Sequence, residues 1–130
     1  MEKTPQFPDY FPEDCPPVEA KSIDFKVFRL SKHANLTEDT FKSFYQINPE
    51  RWMGVIQSYG ISVFHTKEDC ESALRKSPCL KKRMKYYAFG IANKDSGKIM
   101  KTPSKDNPRH YTWWLYEGVK PHTYFKVCKV

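Results

Sequence analysis

The chain has 130 residues, the length of one ordinary domain and too short for two full cores. Lys and Arg number 22 against 15 Asp and Glu, a net charge of +7 with histidines neutral, and 39% of residues are hydrophobic, which excludes disorder along the whole chain. No apolar run approaches the roughly 20 residues of a membrane span, and Met1-Glu2-Lys3-Thr4-Pro5 lacks a basic segment leading into an apolar one, so the expectation is a soluble, cytoplasmic protein with no membrane contact.

Residues 1–24 form an acidic leader. Glu2, Asp9, Glu13, Asp14, Glu19 and Asp24 outweigh Lys3 and Lys21, a balance of −4, which leaves +11 for residues 25–130. Pro5, Pro8, Pro12, Pro16 and Pro17 remove amide donors and fix φ, so the leader is expected to be extended. Phe7, Tyr10, Phe11 and Val18 lie between those prolines and would anchor it as a strap on a basic domain at 25–130.

Phe25 to Leu30 reads as a strand. Thr37 is placed to cap a helix from Glu38 to Ile47, with Phe41, Phe44 and Tyr45 at i, i+3, i+4. Asn48-Pro49 opens a second helix, in which Trp52, Val55, Ile56 and Tyr59 repeat at helical spacing up to a capping Gly60. Ile61 to Phe64 reads as a strand, and Thr66 caps a third helix to Lys76 that buries Cys70, Ala73 and Leu74 and is closed by Pro78. Met84 to Ala92 and Lys98 to Lys101 form a hairpin about the Asn93–Gly97 turn, followed by strands from Tyr111 to Tyr116 and from Thr123 to Val130. The predicted fold is α+β: a single domain with a largely antiparallel sheet and about three helices packed on one face.

Three constellations carry candidate chemistry. Arg75, Lys76, Lys81, Lys82, Arg83 and Lys85 fall within eleven positions and would attract a phosphate backbone, with Tyr86, Tyr87 and Phe89 as neighbouring rings. The strand after Arg109 alternates, with His110, Thr112 and Trp114 on one side and Tyr111, Trp113 and Leu115 on the other. If one of its faces is open, those side chains would contact a base or sugar while Arg109 and Lys101 hold phosphate. His110-x-Thr112 also resembles half of the paired motif of 2H-type phosphoesterases; His65-Thr66 and His122-Thr123 lack the intervening residue that a second copy needs.

Arg29 on the first strand, Ser62 on the second and Glu117 after the late aromatic strand follow an order similar to that of the ADP-ribosyltransferase family. The resemblance implies an Arg29 that holds dinucleotide phosphate, a Ser62 that supports the active-site sheet and a Glu117 that stabilises an oxocarbenium-like transition state. The sequence departs from the family at Phe64, where a Ser or Thr is usual, and in lacking a Glu-x-Glu or Gln-x-Glu ending at Glu117.

Cys15, Cys70, Cys79 and Cys128 form no Cys-x-x-Cys pair, and His33, His65, His110 and His122 lack zinc-site spacing, so reduced thiols and no metal are expected. No glycine-rich phosphate cradle or nucleophile elbow occurs, and no cofactor is implied. The leading expectation is a small basic module that binds nucleic acid or an acidic protein surface. The alternatives are a nucleotide- or RNA-directed enzyme using His110, or Arg29 and Glu117, and a protein-interaction domain of the immunity or inhibitor type.

Overall fold

A computed structural model describes residues 4–130; Glu2 and Lys3, counted in the leader's charge, lie outside the described residues. The chain folds as an α+β protein around a six-stranded sheet of β1 (Phe25–Ser31), β2 (Ile61–Phe64), β3 (Tyr86–Ala92), β4 (Gly97–Lys101), β5 (His110–Leu115) and β6 (Lys126–Lys129). The order is β4-β5-β2-β1-β3-β6, and every neighbouring pair is antiparallel. β1 pairs with β3 along its whole length, whereas its register with β2 holds one partnered pair, Phe28 with Phe64. The sheet is therefore parted beside Arg29.

Alternation along the strands puts Val27, Ile61, Val63, Ala88, Ile99 and Trp113 on one face, where Phe41 and Phe125 close a core over them. Gly90 leaves room for that closure, since a Cβ there would meet the Phe125 ring at 2.6 Å. The opposite face carries Phe28, Phe64 and Tyr87 beneath α3 (Lys67–Lys76) and α4 (Pro78–Arg83), and Trp114 beneath the leader and the 3-10 turn Ile56–Tyr59. The α3 helix begins as its sequence dictates: the Thr66 hydroxyl accepts from the Asp69 amide at 3.1 Å, and the buried stripe is Cys70, Ala73 and Leu74.

Other helices differ from expectation. The predicted helix 38–47 is a 3-10 turn, Glu38–Phe41, and a single turn α1 (Phe44–Ile47), because the extended Lys42 and Ser43 interrupt it and Ser43 caps the second piece. The predicted helix 49–59 is one turn, α2 (Pro49–Trp52), and the 3-10 turn at 56–59. Gly54, at φ +81°, breaks it, and Tyr59 accepts the Gly54 amide on its hydroxyl at 3.0 Å. Pro78 does not merely close α3; it opens α4 behind a Ser77 cap. The last strand is shorter than predicted, since Pro121–Thr123 forms a 3-10 turn before β6.

The leader lies on the body. Phe7 packs on Tyr116 with ring centroids 4.6 Å apart, Tyr10 stacks on Tyr45 at 5.2 Å, and Phe11 meets Tyr59 edge-on at 5.6 Å. The Glu117 amide donates to the Gln6 carbonyl, and Lys21 exchanges two backbone hydrogen bonds with Ile99, covering the outer edge of β4.

Candidate functional site

The basic cluster is assembled by the ends of two consecutive helices. Arg75 and Lys76 occupy the last turn of α3, and Lys81, Lys82 and Arg83 the last turn of α4; with Lys85 all six are exposed. Cations at helix C-termini complement the helix dipole, which accounts locally for their placement. Between Ser72 and Lys94 the sequence contains no carboxylate, and among the described residues none of the six forms an ion pair. The 102–109 loop is drawn against α3 by Lys76, whose ammonium donates to the Asp106 carbonyl at 3.1 Å, and by Arg109, 3.7 Å from Asp69. Lys105 and Arg109 thus border the same face. Lys101 is exposed at the end of β4, but its pairing with Tyr111 directs it to the other side of the sheet.

The expectation that β5 displays an open row of rings does not hold. Trp113 is 1% exposed and Trp114 is wholly buried, because both faces of β5 are covered, one by Phe125 and the other by the leader and the 56–59 turn. The Trp114 indole donates to the Ile56 carbonyl at 3.0 Å. Each indole removed from water contributes roughly 4–6 kcal/mol by area, before entropy is charged against it. Thr112 is buried, its hydroxyl 2.8 Å from that of Thr102. Tyr111 is half-buried against Phe25. Thr112, Trp113 and Trp114 are therefore packing residues without a ligand-facing surface. Tyr87 is likewise buried; of the other two rings named beside the cluster, Phe89 is partly buried and stacked on Phe28, and Tyr86, also partly buried, alternates to the opposite face of the sheet.

His110 is half-buried, edge-on to Phe64, with Nδ1 2.8 Å from the Thr102 hydroxyl and 3.2 Å from the Thr102 carbonyl. The carbonyl only accepts, so its contact is a hydrogen bond in the tautomer that carries the proton on Nδ1, whereas the hydroxyl can partner either tautomer. Burial holds the imidazole below its usual pKa; the carbonyl bond opposes that shift and the Arg29 charge adds to it. No second histidine completes a phosphoesterase pair in its network.

Arg29 lies on the core face of β1. Its Nε donates to the Thr40 carbonyl at 2.8 Å, Nη1 to that of Ser62 at 2.7 Å and Nη2 to that of Lys42 at 3.5 Å. Burial lowers its pKa to about 10. The Ser62 side chain, opposite Thr112 in register, lies on the other sheet face, and Glu117 is exposed in the β5–β6 connection. The trio does not line one cleft, so the arrangement that the family resemblance implied is not assembled. Cys15 and Cys70 are pushed up to about 12 by burial, which keeps both thiols protonated.

A cleft of about 310 Å³ opens where β2 begins and β5 ends. Its floor is Ile61, Trp113 and Phe41, and its walls are the leader at Tyr10 and Phe11, the segment from Glu38 to Gln46, and the β5–β6 connection from Tyr116 to His122. Lys120 and Glu38, 3.5 Å apart, join two of these walls. Sequence reasoning read the leader as a strap, gave the 117–121 turn a role through Glu117 alone, and weighed His122 only as a phosphoesterase or zinc partner; a histidine after a proline in a turn carries no distinguishing pattern. Arg29 borders this cleft indirectly, by holding the carbonyls on either side of Phe41.

Among the described residues, no group of three His, Cys, Asp or Glu side chains could hold a metal ion, and no helix is long and apolar enough to cross a membrane. Comparison with known proteins found no matching family model, no matching curated protein and no matching solved structure.

Proposed function

We propose that the protein is a nucleic-acid-binding module that engages the phosphate backbone of a duplex through the α3–α4 face, without reading bases. The observation that carries this reading is the set of six exposed cations, Arg75 to Lys85, in a stretch from which carboxylates are absent. Lysines and arginines gathered on one face displace condensed counterions from a polyanion, and that release drives binding. Lys105 and Arg109 extend the face along the tethered loop.

Burial of Trp113, Trp114 and Tyr87 bears on the class of nucleic acid proposed. Single-strand binders draw about 1–3 kcal/mol per base from aromatic stacking. Here those rings are in the core, which favours duplex phosphates over splayed bases.

The charge reversals Lys81→Glu, Lys82→Glu and Arg83→Glu, made together, test the reading. All three residues are exposed, so the variant should keep the wild-type circular dichroism, with a melting temperature lowered only modestly because glutamates at the end of α4 oppose its dipole. It is expected to lose retention of a random-sequence duplex at low salt. Retention equal to wild type would overturn the assignment.

A further inference from the structure

The segment from Phe44 to Val55 turns apolar side chains outward. Phe44, Ile47, Met53 and Val55 are 54%, 65%, 70% and 45% exposed. The broken helices account for this: a single turn such as α1 seats one side on the body, where Tyr45 stacks on Tyr59 with ring centroids 4.3 Å apart. Phe44 and Ile47, three positions apart, share the outer side. Phe44 stacks on Trp52 at 5.3 Å, and the Arg51 guanidinium lies 5.0 Å over the same indole. The side chains thus form one connected patch.

The backbone beneath the patch is pinned. Met53 (φ −52°, ψ 127°) and Gly54 (φ +81°) make a type II turn, which the Val55 amide closes on the Trp52 carbonyl at 3.0 Å with Met53 at its tip. The Gly54 amide donates to the Tyr59 hydroxyl at 3.0 Å, and the Ser58 hydroxyl to the Trp52 carbonyl at 3.1 Å. A surface ordered before contact loses little entropy on docking. Its apolar residues present roughly 400–500 Å², more than the few hundred Å² that soluble monomers ordinarily leave in one patch and about half of each partner's share in a standard interface. Exposed Gln46, Asn48 and Gln57 supply a polar rim.

Charge selects the occupant. Between Lys42 and His65 the only charged side chains are Glu50 and Arg51, both exposed and, among the described residues, in no ion pair. On a chain of net charge +7, this is a surface where two copies meet without strong repulsion. Neighbouring charges of opposite sign are also self-complementary: about a two-fold axis, Glu50 of one copy meets Arg51 of the other, and the reverse. An anionic membrane or a strongly acidic protein would be recognised by several cations, and this patch has one beside a carboxylate.

We infer that the α1–α2 face joins two copies of this chain in an isologous dimer, with Phe44, Trp52 and Met53 at its apolar centre and the Glu50 and Arg51 pairs beside them. This inference is independent of the phosphate-binding reading, which uses α3 and α4.

Sedimentation equilibrium of the full chain reads the association. A shift from monomer to dimer is expected, half complete at about 1–50 μM, the weak end for an interface of this size. Raising NaCl from about 150 to 500 mM should leave the dimer intact or tighter, because salt screens repulsion between like net charges; duplex binding by the basic face responds in the opposite sense. Met53→Asp and Ile47→Asp, at exposed positions, should each raise the dissociation constant about tenfold or more with unchanged circular dichroism. Glu50→Arg and Arg51→Glu should each weaken self-association, and an equimolar mixture of the two should regain it, since each charge then faces its opposite. The dimer is overturned by a chain that stays monomeric up to about 200 μM, well past that range, by association that Met53→Asp and Ile47→Asp leave intact, by dissociation at higher salt, or by a mixture no tighter than its parts. Binding of a monomeric chain to phosphatidylcholine vesicles, lost in Met53→Asp, would assign the patch to a lipid surface and overturn the dimer as well.

Discussion

The guanidinium of Arg29 donates to the backbone carbonyl of Ser62 at 2.7 Å, across the parting between β1 and β2. One side chain thus takes the place of ladder hydrogen bonds that the two strands do not make beyond Phe28 and Phe64. The same group holds Thr40 and Lys42, so it fastens the 38–41 turn over the core as well.

Truncation of that guanidinium should be costly. Arg29→Met leaves several carbonyls without donors, and a loss of about 2–4 kcal/mol is expected in urea unfolding. Arg29→Lys should recover little of it, because a single ammonium lacks the planar fork that spans acceptors on two segments. Wild-type stability in the lysine variant would contradict the role assigned to the fork.

His110 should make stability fall with acid. Its folded pKa is depressed, chiefly by burial, below the usual value near 6.5, so below that pH the unfolded chain binds a proton that the folded chain resists. The contribution is complete above 6.5 and is lost as pH falls toward the folded pKa. Melting temperatures between pH 7.5 and 5 should decline, and His110→Asn should flatten that part of the decline. A parallel profile in the variant would show that the imidazole is not the titrating group.

Trp114 tests whether the leader and the 56–59 turn depend on the sheet. Trp114→Phe removes the indole donor to Ile56 and leaves a void beneath Cys15 and Ala20. The expected loss is about 2–4 kcal/mol, with early hydrogen exchange at residues 15–20 and 56–59. Exchange in those segments indistinguishable from wild type would refute the coupling.

Much of the fold was legible where local chemistry and tertiary demand agree. Thr66 both caps α3 and precedes its buried stripe, so cap and periodicity point to one helix. The hairpin expected about Asn93–Gly97 does not form: the turn is there, but β3 pairs with β1 and β6 while β4 pairs with β5, so turn chemistry marked a reversal without saying which strands it would join. The 49–59 segment shows another departure. Trp52, Ile56 and Tyr59 repeat at helical spacing, but Gly54 at positive φ splits the stretch into two turns, and Val55 is left exposed.

Of the candidate sites, the basic run was visible because its residues are contiguous. The rings of β5 were misjudged because alternation separates two faces without saying that both are covered; that covering comes from Phe125 and from a leader about a hundred residues upstream. The cleft was invisible, since no two of its walls are neighbours in sequence.

The central claim, that the α3–α4 face binds phosphates by counterion release, is tested most directly by the salt dependence of duplex affinity. Fluorescence anisotropy of a labelled random-sequence duplex, read from 50 to 200 mM NaCl, should show affinity falling about 10²–10³-fold, the slope for roughly four to six neutralised phosphates. The Lys81→Glu, Lys82→Glu, Arg83→Glu variant should show a shallower slope. Affinity independent of salt in the wild type, or an identical slope in the variant, would contradict the account.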